Sequence, residues 1–366
     1  MITPHKQIRE LCIRPTNTLR HTMALLDRTG VGIALITDDD QRLLSTVTDG
    51  DIRRALLAGR GLDDPMVKFD LSTSLIAGPD QPVTAPEGTP PDRLLEMMYS
   101  ASVRHIPVVT SDGRVVDLYT LSELAGTQCR HVDAVVMAGG FGSRLRPLTE
   151  RLPKPMLQVG DRPLLQHILE RLERSGIRRV HVTTHYQADA ITEYFGDGSR
   201  LGLQIEYVQE KEPLGTLGAL GLLPEQDTPL LVVNGDVLTD VDFDAMLSYH
   251  EDSGVEMTVG VRQFEMAVPY GVVDIVANRV RALEEKPIYH LFVNAGIYLV
   301  EPAILRRIEP GRRLDATELI GQLLTEGRPV ASFPIHEYWL DVGRHDDYER
   351  ANRDWTRRQC EATSGH

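Results

Sequence analysis

The sequence predicts an α/β protein whose main domain is a mostly parallel, Rossmann-like sheet, preceded by a smaller α+β module. Two observations lead to this prediction. From Val132 onward, short apolar segments alternate with amphipathic stretches, which is typical of a parallel sheet with helices on both faces. Before that point, residues 30–51 align without a gap on residues 102–123, so the first part contains an internal repeat. The length of 366 residues is sufficient for both parts to have a core.

The overall composition limits the classes of partner. The formal net charge of −14 opposes binding to nucleic acids and to acidic membranes, both of which attract basic proteins. No uninterrupted apolar run approaches the length of a membrane span, and the first residues (MITPHKQIRE) do not resemble a signal segment. The cysteines, Cys12, Cys129 and Cys360, lack metal-type spacing and fit reduced thiols. We therefore expect a cytoplasmic protein that binds neither nucleic acid nor membrane.

Each copy of the repeat predicts the same order of elements: a helix, an apolar strand, a hairpin turn, a second strand and a capped helix. The first helices are expected over residues 16–29 and 89–101, and the turns at 38–40 and 111–113. After each second strand, a threonine is followed three residues later by an acid, which is the spacing of a helix capping box. These pairs are Thr48 with Asp51 and Thr120 with Glu123.

The patterns predict two domains and a disordered tail. Their expected bounds are 1–126 for the repeat module (copies at about 8–65 and 66–126), 131–358 for the second domain and 359–366 for the tail. The polar stretch 125–132 separates the domains, and the Pro-rich segment 78–91 leads into the second copy. A polar helix at 345–357 precedes the tail.

The second domain begins with strands and helices in alternation. The predicted strands lie at 132–138, 178–184, 204–208 and 229–233, and the predicted helices at 163–175, 187–195, near 215 and at 242–252. In such sheets, ligands bind beyond the carboxyl ends of the strands. The loops after the first and fourth strands are therefore the places where chemistry is expected.

The loop after the first strand is rich in glycine and in cationic side chains. Gly139, Gly140 and Gly142 permit positive φ angles and a close approach of a ligand to the backbone. Backbone amides at such a turn, with Arg144 close by, form a pocket for phosphate groups. Lys154 lies between two prolines, which stiffen the backbone that carries its ammonium group. The run matches neither the Walker pattern nor the dinucleotide fingerprint, and tight strand–helix packing is the alternative explanation of its glycines.

Two aspartates follow the ends of apolar strands and adjoin a glycine. Asp236 follows the fourth strand in Asn234-Gly235-Asp236, and Asp341 lies in a similar arrangement ahead of Gly343. A carboxylate at the carboxyl end of a strand is suited to hold Mg²⁺, a hard cation that prefers oxygen ligands. The sequence therefore predicts Mg²⁺ as the cofactor.

The run from Val135 to Met156 resembles the signature GGxGxRLxPLTxxxPKPM of the sugar-1-phosphate nucleotidyltransferases, the nucleoside-diphosphate-sugar pyrophosphorylases. The resemblance implies the fold of the nucleotide-diphospho-sugar transferases, with Arg144, Lys154 and Asp236 in catalysis. The segment from Trp339 to Gly343 resembles the family's W-x-D-h-G element, whose aspartate supplies the second metal ligand. This implies that Asp236 and Asp341 hold the metal together.

Further segments resemble the family's elements for its two substrates. Nucleotide binding is implied for the glycine loop and for the segment after the third strand, at Ala138, Gly139, Gly140, Gly142, Gln209, Gly215 and Thr216. The YG, EKP and N-x-G elements imply sugar-phosphate binding by Tyr270, Gly271, Glu285, Lys286 and Asn294. Without the resemblance, Gly215 and Thr216 also fit a helix cap, and the other elements fit ordinary turns or surface charge pairs.

The repeat module resembles a tandem pair of CBS domains, a Bateman module. In that family, the Thr-x-x-Asp element binds the phosphate and ribose of a ligand, often an adenine nucleotide. Thr48 and Asp51 match this element, whereas the second copy keeps Thr120 but has Glu123 where the ribose-binding aspartate would be. The alternative is that these residues only cap helices.

Together, the resemblances imply an Mg-dependent transfer of a nucleoside monophosphate from a nucleoside triphosphate to a sugar 1-phosphate, with release of pyrophosphate. A CBS pair joined to this domain resembles the glucosamine-1-phosphate guanylyltransferases of nonulosonic-acid pathways, which favours GTP and the product GDP-glucosamine. Mannose 1-phosphate with GTP, and uridylyl or thymidylyl transfer, stay open. A non-catalytic nucleotide-sensing regulator is the alternative of a different class. Because both parts resemble modules that commonly self-associate, we expect a homo-oligomer.

Overall fold

The computed structural model describes residues 8–66, 82–101, 103–124 and 132–364. The chain divides into two compact units, Met1–Cys129 and Arg130–His366. Most of the predicted break at 125–132 and the first residues of the Pro-rich segment lie outside the described residues. Within the described ranges, no helix is both long enough and apolar enough to cross a membrane.

The N-terminal unit contains two three-stranded sheets, one for each copy of the repeat. Its helices are α1 (Ile8–Leu11), α2 (Leu19–Thr29), α3 (Asp49–Leu57), α4 (Pro91–Ala101) and α5 (Leu121–Leu124). Its strands are β1 (Cys12–Ile13), β2 (Ile33–Thr37), β3 (Leu43–Thr48), β4 (Ala85–Pro86), β5 (His105–Val109) and β6 (Val115–Thr120). In each sheet the first pair of strands is parallel and the second is an antiparallel hairpin, so the two copies share one topology.

Local interactions in this unit follow the sequence pattern. The hairpins turn at the predicted acidic and glycine-containing segments between β2 and β3 and between β5 and β6. Thr48 and Asp51 exchange both bonds of a capping box at the start of α3. Thr120 and Glu123 do the same at α5. Both predicted capping boxes are therefore present.

The C-terminal unit follows the predicted alternation and then adds long antiparallel strands. Its helices are α6 (Leu164–Arg174), α7 (Ala188–Phe195), α8 (Gly215–Gly218), α9 (Phe243–Ser253), α10 (Pro302–Leu305), α11 (Ala316–Thr325) and α12 (His345–Ser364). Its strands are β7 (Asp133–Met137), β8 (Gln158–Val159), β9 (Arg162–Pro163), β10 (Arg179–Thr184), β11 (Gln204–Gln209), β12 (Leu230–Asn234), β13 (Val237–Thr239), β14 (Met257–Ala267), β15 (Val272–Val276), β16 (Arg279–Glu284), β17 (Ile288–Val300), β18 (Val330–Ile335) and β19 (Trp339–Asp341).

Seven strands form the main sheet in the order β11-β10-β7-β12-β17-β14-β18. All pairs are parallel except those of β17, which runs antiparallel to β12 and β14. Successive residues of β7 point to opposite faces, so Val136 packs against α6, α7 and α9, whereas Val135 packs against α8, α10 and α11. The predicted mostly parallel sheet with helices on both faces is confirmed.

The last helix differs from its prediction. It begins at His345 as expected but continues to Ser364, where a disordered tail was predicted from residue 359. The added turns contain Arg, Gln, Glu and Ala, which all have high helix propensity, so the polar composition did not indicate disorder. Near its start, Ala351 packs with Leu340 of β19 in a small core.

Two pieces of antiparallel strand continue past the main sheet. Beyond Arg262, β14 pairs only with β17, and this part (residues 263–267 with 288–292) is here called the distal ribbon. The β15–β16 hairpin forms a separate two-stranded sheet. From Val273 to Val276 and throughout β16, every residue is exposed.

Candidate active site

The carboxyl ends of β7 and β12 bring the glycine loop and Asp236 together. The two strands are parallel neighbours in the middle of the sheet. The amide of Gly235 donates a hydrogen bond to the carbonyl of Met137, N to O 3.0 Å. A Cβ at residue 235 would lie 2.7 Å from that carbonyl oxygen, so only glycine permits this approach. The loops after these two strands therefore meet at one edge of the sheet.

The three glycines of the loop have different surroundings, which the sequence did not reveal. Gly142 has a positive φ of 59°, and its carbonyl accepts a hydrogen bond from Thr149 Oγ1 at 2.8 Å. A Cβ at Gly139 would lie 2.6 Å from Glu210 Oε1, whereas a Cβ at Gly140 would enter open space. The expectation that three glycines provide positive φ angles is therefore correct only for Gly142.

The backbone amide of Ala138 already has a hydrogen-bond partner within the protein. Its amide donates to the carbonyl of Thr183 in β10, N to O 3.2 Å. This amide is already used within the protein, so any hydrogen-bond donation to phosphate comes from the glycines that follow it.

Lys154 reaches across the site to the first aspartate. It begins a short 3₁₀ turn, Lys154–Met156, in which Pro155 and Met156 are buried. Its Nζ lies 2.6 Å from Asp236 Oδ2, and its side chain is only 12% exposed. The ammonium group is therefore held in place before any substrate binds.

Asp341 lies beside Asp236 on a separate two-stranded ladder. Asp341 in β19 is paired with Val237 in β13, and Val342 N donates to Asp236 O at 3.0 Å. Partial burial and then the negative charge of Asp236 raise the pKa of Asp341, whereas Lys154 and Arg144 act in the opposite direction. The side chains of Asp236, Lys154 and Arg144 are thus close enough to Asp341 for their charges to act on its carboxylate.

This donor set fits a hard divalent cation. Two neighbouring carboxylates repel each other, and oxygen ligands are those that Mg²⁺ prefers. Among the described residues no group of three His, Cys, Asp or Glu side chains is arranged to hold a metal. The protein would therefore supply two oxygen ligands, and the phosphates of a substrate would supply others, as is usual for Mg²⁺.

Glu210 and His185 adjoin the glycine loop, a contact that the sequence did not predict. Glu210 is 6% exposed, and its Oε2 accepts a hydrogen bond from the amide of Leu214 at 2.9 Å. Its carbonyl lies 2.9 Å from His185 Nδ1, and the His185 ring meets Phe141 edge to face. The position of Glu210 directly after β11 was the available signal. Gln209 is exposed at the end of β11, and its predicted role in nucleotide binding stays a prediction.

Gly215 and Thr216 lie at the start of α8, as predicted. Gly215 has a φ of 78°, and a Cβ there would lie 2.5 Å from Asp315 Oδ1. The amide of Thr216 donates to the same oxygen at 3.3 Å. This amide is thus bound within the protein, in agreement with the helix-cap interpretation, and the nucleotide role of these two residues stays a prediction.

The predicted sugar-phosphate residues lie at the base of the hairpin. Tyr270 and Gly271 precede β15, and Glu285 and Lys286 follow β16. A Cβ at Gly271 would lie 2.9 Å from Glu285 Oε2, and Lys286 has a positive φ of 48°. In the described structure, none of these residues has a hydrogen bond or ion pair with Lys154, Asp236 or Asp341.

Asn294 lies closer to the carboxylates. A hydrogen bond with Asn294 and the charge of Asp236 both act on Tyr298, although burial is the main reason why the pKa of Tyr298 is raised. Asn294 Oδ1 accepts from the amide of Gly296 at 2.9 Å. Asn294 therefore contacts a tyrosine on which the charge of Asp236 acts, and its role in sugar-phosphate binding stays a prediction.

In the N-terminal unit, the predicted ligand residues are engaged with one another. Asp51 Oδ2 accepts from Thr48 N and Thr48 Oγ1 at 2.8 and 2.7 Å, and Asp51 Oδ1 accepts from Arg54 at 2.6 Å. Thr120 is 8% exposed and also caps a helix. These contacts agree with the capping interpretation, and ligand binding here stays a prediction.

Comparison with known proteins agrees with the fold. Residues 133–358 match the model of the nucleotidyl transferase family, and residues 6–58 and 79–127 match that of the CBS domain. The first match covers more than half of the chain. The chain belongs to the nucleotidyl transferase family and carries a pair of CBS domains ahead of its transferase domain.

Several characterised proteins are similar to the transferase domain. The catalytic subunit beta of mannose-1-phosphate guanylyltransferase from Danio rerio is 36% identical over 226 residues, 59% of this chain and 62% of that protein. A mannose-1-phosphate guanylyltransferase of Mycobacterium tuberculosis is 38% identical over 236 residues, 62% of this chain and 65% of that protein. The chain thus spans less than two thirds of the length of these relatives. The crystal structure of HddC from Yersinia pseudotuberculosis is 26% identical, with a TM-score of 0.48, over 61% of this chain and 99% of that one.

Proposed function

We propose that the protein transfers GMP from GTP to a sugar 1-phosphate and releases pyrophosphate. The convergence of Lys154, Asp236 and Asp341 beneath the glycine loop is the observation that carries this proposal. Cationic groups and two carboxylates suited to Mg²⁺ would then lie where two anionic substrates have to meet.

The chemistry needs positioning more than proton transfer. A sugar phosphate is already an anion, so its oxygen attacks the α-phosphorus of GTP in line without a protein base. Arg144 and the amides of the glycine loop take up negative charge on the leaving pyrophosphate. Lys154 and Lys286 reduce the repulsion between the two phosphates as they approach.

Asp236 and Asp341 are the residues that would hold Mg²⁺. When bound, the cation supplies charge neutralisation between phosphate oxygens. The Lys154–Asp236 ion pair fixes the orientation of one carboxylate, and the β13–β19 ladder fixes the backbone of the other.

For the acceptor, glucosamine 1-phosphate is our first proposal. It is supported by the combination of a CBS pair with the transferase domain, in which this chain resembles the glucosamine-1-phosphate guanylyltransferases. Mannose 1-phosphate is the second candidate, since the two guanylyltransferases compared here are named for that substrate. Transfer of UMP or dTMP is less well supported, because these relatives are guanylyltransferases.

The CBS pair is proposed to bind an adenine nucleotide at Thr48, Asp51 and Thr120. Asp51 Oδ1 could accept a hydrogen bond from a ribose hydroxyl beside its contact with Arg54, because each carboxylate oxygen accepts more than one hydrogen bond. The reaction is expected in the cytoplasm, where nucleoside triphosphates and sugar phosphates are available.

If the CBS pair alone were functional, the protein would be a non-catalytic regulator, but the complete set of charged residues in the transferase site favours catalysis.

Pyrophosphate release by the purified chain tests this proposal. The assay combines each of GTP, ATP, UTP and dTTP with glucosamine 1-phosphate, mannose 1-phosphate and glucose 1-phosphate in the presence of Mg²⁺. We expect the highest kcat/KM for GTP with glucosamine 1-phosphate. Absence of turnover with every pair, while ATP or AMP still binds, would leave the regulator as the function.

A further inference from the structure

The last helix, α12, lies with one face against the chain that follows the glycine loop. Four of its side chains contact the segment from residue 146 to residue 160: His345, Tyr348, Asn352 and Trp355. Their spacing of three, four and three residues places them on one face of the helix. The contacted segment contains Lys154 and begins two residues after Arg144. The helix therefore lies beside the backbone that carries two of the cations proposed to bind phosphates.

Tyr348 and Asn352 join the helix to the β8–β9 hairpin. Tyr348 Oη donates a hydrogen bond to the carbonyl of Gln158 at 2.7 Å, and Asn352 Oδ1 accepts one from the amide of Gly160 at 3.1 Å. This hairpin closely follows the short turn that begins with Lys154. Both bonds therefore hold the helix at the far end of the segment, on the other side of the turn from the glycine loop.

Trp355 and Ala351 fix the same helix by packing. A Cβ at Gly160, which has a positive φ of 67°, would overlap the indole ring of Trp355, so only glycine permits this contact. The ring of His167 in α6 meets the indole edge to face, with 4.5 Å between the ring centroids. Ala351 is fully buried. Helix α12 is thus held against the domain without any contribution from His345.

His345 contacts the backbone two residues after Arg144. Its Nε2 lies 2.8 Å from the carbonyl oxygen of Arg146. A carbonyl oxygen only accepts, so Nε2 carries the hydrogen of this bond. Arg146 directly follows the 3₁₀ turn Ser143–Leu145, which contains Arg144. The bond therefore holds the backbone next to the arginine that is proposed to take up charge on the pyrophosphate.

The same histidine lies four residues after Asp341. Between them, Val342 is fully buried, and its amide donates to the carbonyl of Asp236 at 3.0 Å. His345 thus connects a firmly held strand end to the loop that contains Arg144. Because Arg144 is exposed, the position of its guanidinium group depends on how well its backbone is fixed.

We propose that His345 is a positioning residue for GTP. Its hydrogen bond fixes the backbone that carries Arg144 relative to Asp341, so the guanidinium group and the carboxylate suited to Mg²⁺ keep one spacing when the triphosphate binds. This role rests on the proposed function, because it assumes that Arg144 contacts the leaving pyrophosphate. The alternative is that the bond only stabilises the start of α12.

Two substitutions of similar size separate these roles. His345→Gln keeps a donor, because its amide nitrogen can bond to the Arg146 carbonyl, whereas His345→Leu removes it. Neither new side chain carries a charge, so the difference between the variants reports on the hydrogen bond. The Kd for GTP with Mg²⁺, measured by calorimetry without an acceptor, should rise about fivefold in His345→Leu and stay near the wild-type value in His345→Gln.

Tyr348→Phe is the matched control on the same helix. It removes the hydrogen bond to Gln158 and keeps the aromatic ring. Its Tm should fall about as much as that of His345→Leu, whereas its Kd for GTP should equal that of the wild type. In steady-state kinetics, His345→Leu should raise KM for GTP several-fold and leave KM for the sugar phosphate unchanged.

Three results would overturn the positioning role: an unchanged Kd in His345→Leu, an equal rise of Kd in His345→Gln, or an equal rise in Tyr348→Phe. The last would mean that any loosening of the helix weakens GTP binding. If the wild type binds GTP but has no turnover with any acceptor, the proposed function fails, while the Kd values still decide the role of His345. A wild type that does not bind GTP would overturn both.

Discussion

Two parts of the proposed active site differ in how firmly the fold holds their side chains. The phosphate side is the part around Lys154, Asp236 and Asp341, and the sugar side is the part around Tyr270 and Lys286. On the phosphate side, an ion pair joins Lys154 to Asp236, and a strand ladder places Asp341 beside them. On the sugar side, Tyr270 and Lys286 lie at the ends of an exposed hairpin. The comparison teaches that the chain preorganises the groups proposed to stabilise charge, whereas the groups expected to hold the sugar phosphate lie on an exposed hairpin with fewer contacts to fix them.

The largest effect is expected from Asp236→Asn. This change removes a charge that both pairs with Lys154 and would bind the cation, so kcat should fall by about a hundredfold to a thousandfold, or roughly 3–4 kcal/mol of barrier. Initial rates of pyrophosphate release measure the loss. Asp274→Asn on the exposed hairpin is the matched control, and its rate should stay near that of the wild type. Similar losses in both variants would mean that the two sides do not differ as described.

The two lysines allow a direct comparison of the two sides. Lys154→Gln should lower kcat about a hundredfold, because its ammonium group is fixed beside Asp236, where the two phosphates are proposed to react. Lys286→Gln should mainly raise KM for the sugar phosphate, by about tenfold, since an exposed cation contributes more to binding than to the barrier. Full kinetics with both substrates varied provide the test. The reverse pattern, with kcat lost only in Lys286→Gln, would contradict the assignment of the two sides.

A smaller effect is expected from the glycines of the phosphate side. Gly139→Ala places a methyl group 2.6 Å from Glu210 Oε1, so the loop or Glu210 must shift, and KM for GTP should rise several-fold together with a lower Tm. Gly140→Ala adds its methyl group in open space and should leave Tm unchanged. Thermal unfolding and GTP titrations compare the two variants. An equal decrease of Tm in both would show that Glu210 does not determine the need for glycine at 139.

The smallest effect concerns a buried histidine at the end of β14 and β17 that lies away from the hairpin. His250 of α9 contacts Thr258 in β14 and Glu301 just after β17, at 2.7 and 3.0 Å. Burial lowers the pKa of His250, although the adjacent Glu301 opposes the shift. The imidazole of His250 therefore binds a proton more readily in the unfolded chain than in the folded chain. Stability should therefore fall as the pH decreases below about 6.5, the ordinary histidine pKa, and down through the lower folded value.

His250→Asn isolates this contribution. Its Tm should be lower than that of the wild type at pH 7.5, and the difference should shrink by a few degrees at pH 5.5. The other buried histidines are unchanged in both proteins, so their titration cancels in the comparison. A Tm difference that is constant across this range would show that His250 does not titrate on unfolding.

Much of the fold was predictable because its signals are local or periodic. The repeat, both capping boxes, the alternation of strands and helices, and the strand-end positions of the glycine loop and Asp236 all follow from residue patterns. The CBS pair and the transferase family were recognised from short motifs, and both assignments are confirmed. Mg²⁺, the nucleotide and the acceptor sugar stay predictions.

What the sequence did not reveal depends on contacts between distant residues. The burial of Glu210 against Gly139 arises from neighbouring loops that are about 70 residues apart, a proximity that only the folded chain defines. The continuation of α12 to Ser364 was missed because a polar surface helix and a polar tail have similar compositions. The antiparallel run of β17, and hence the exposed ribbon, required knowledge of which strands pair.

The central claim is that Asp236 and Asp341 act together on one cation between the two substrates. A double-mutant cycle on kcat, with Asp236→Asn, Asp341→Asn and the double variant at saturating Mg²⁺, tests it most directly. If both carboxylates serve one ion, the double variant should be hardly slower than the slower single variant. Two losses that multiply in the double variant would show that the carboxylates act independently, and would contradict the shared site.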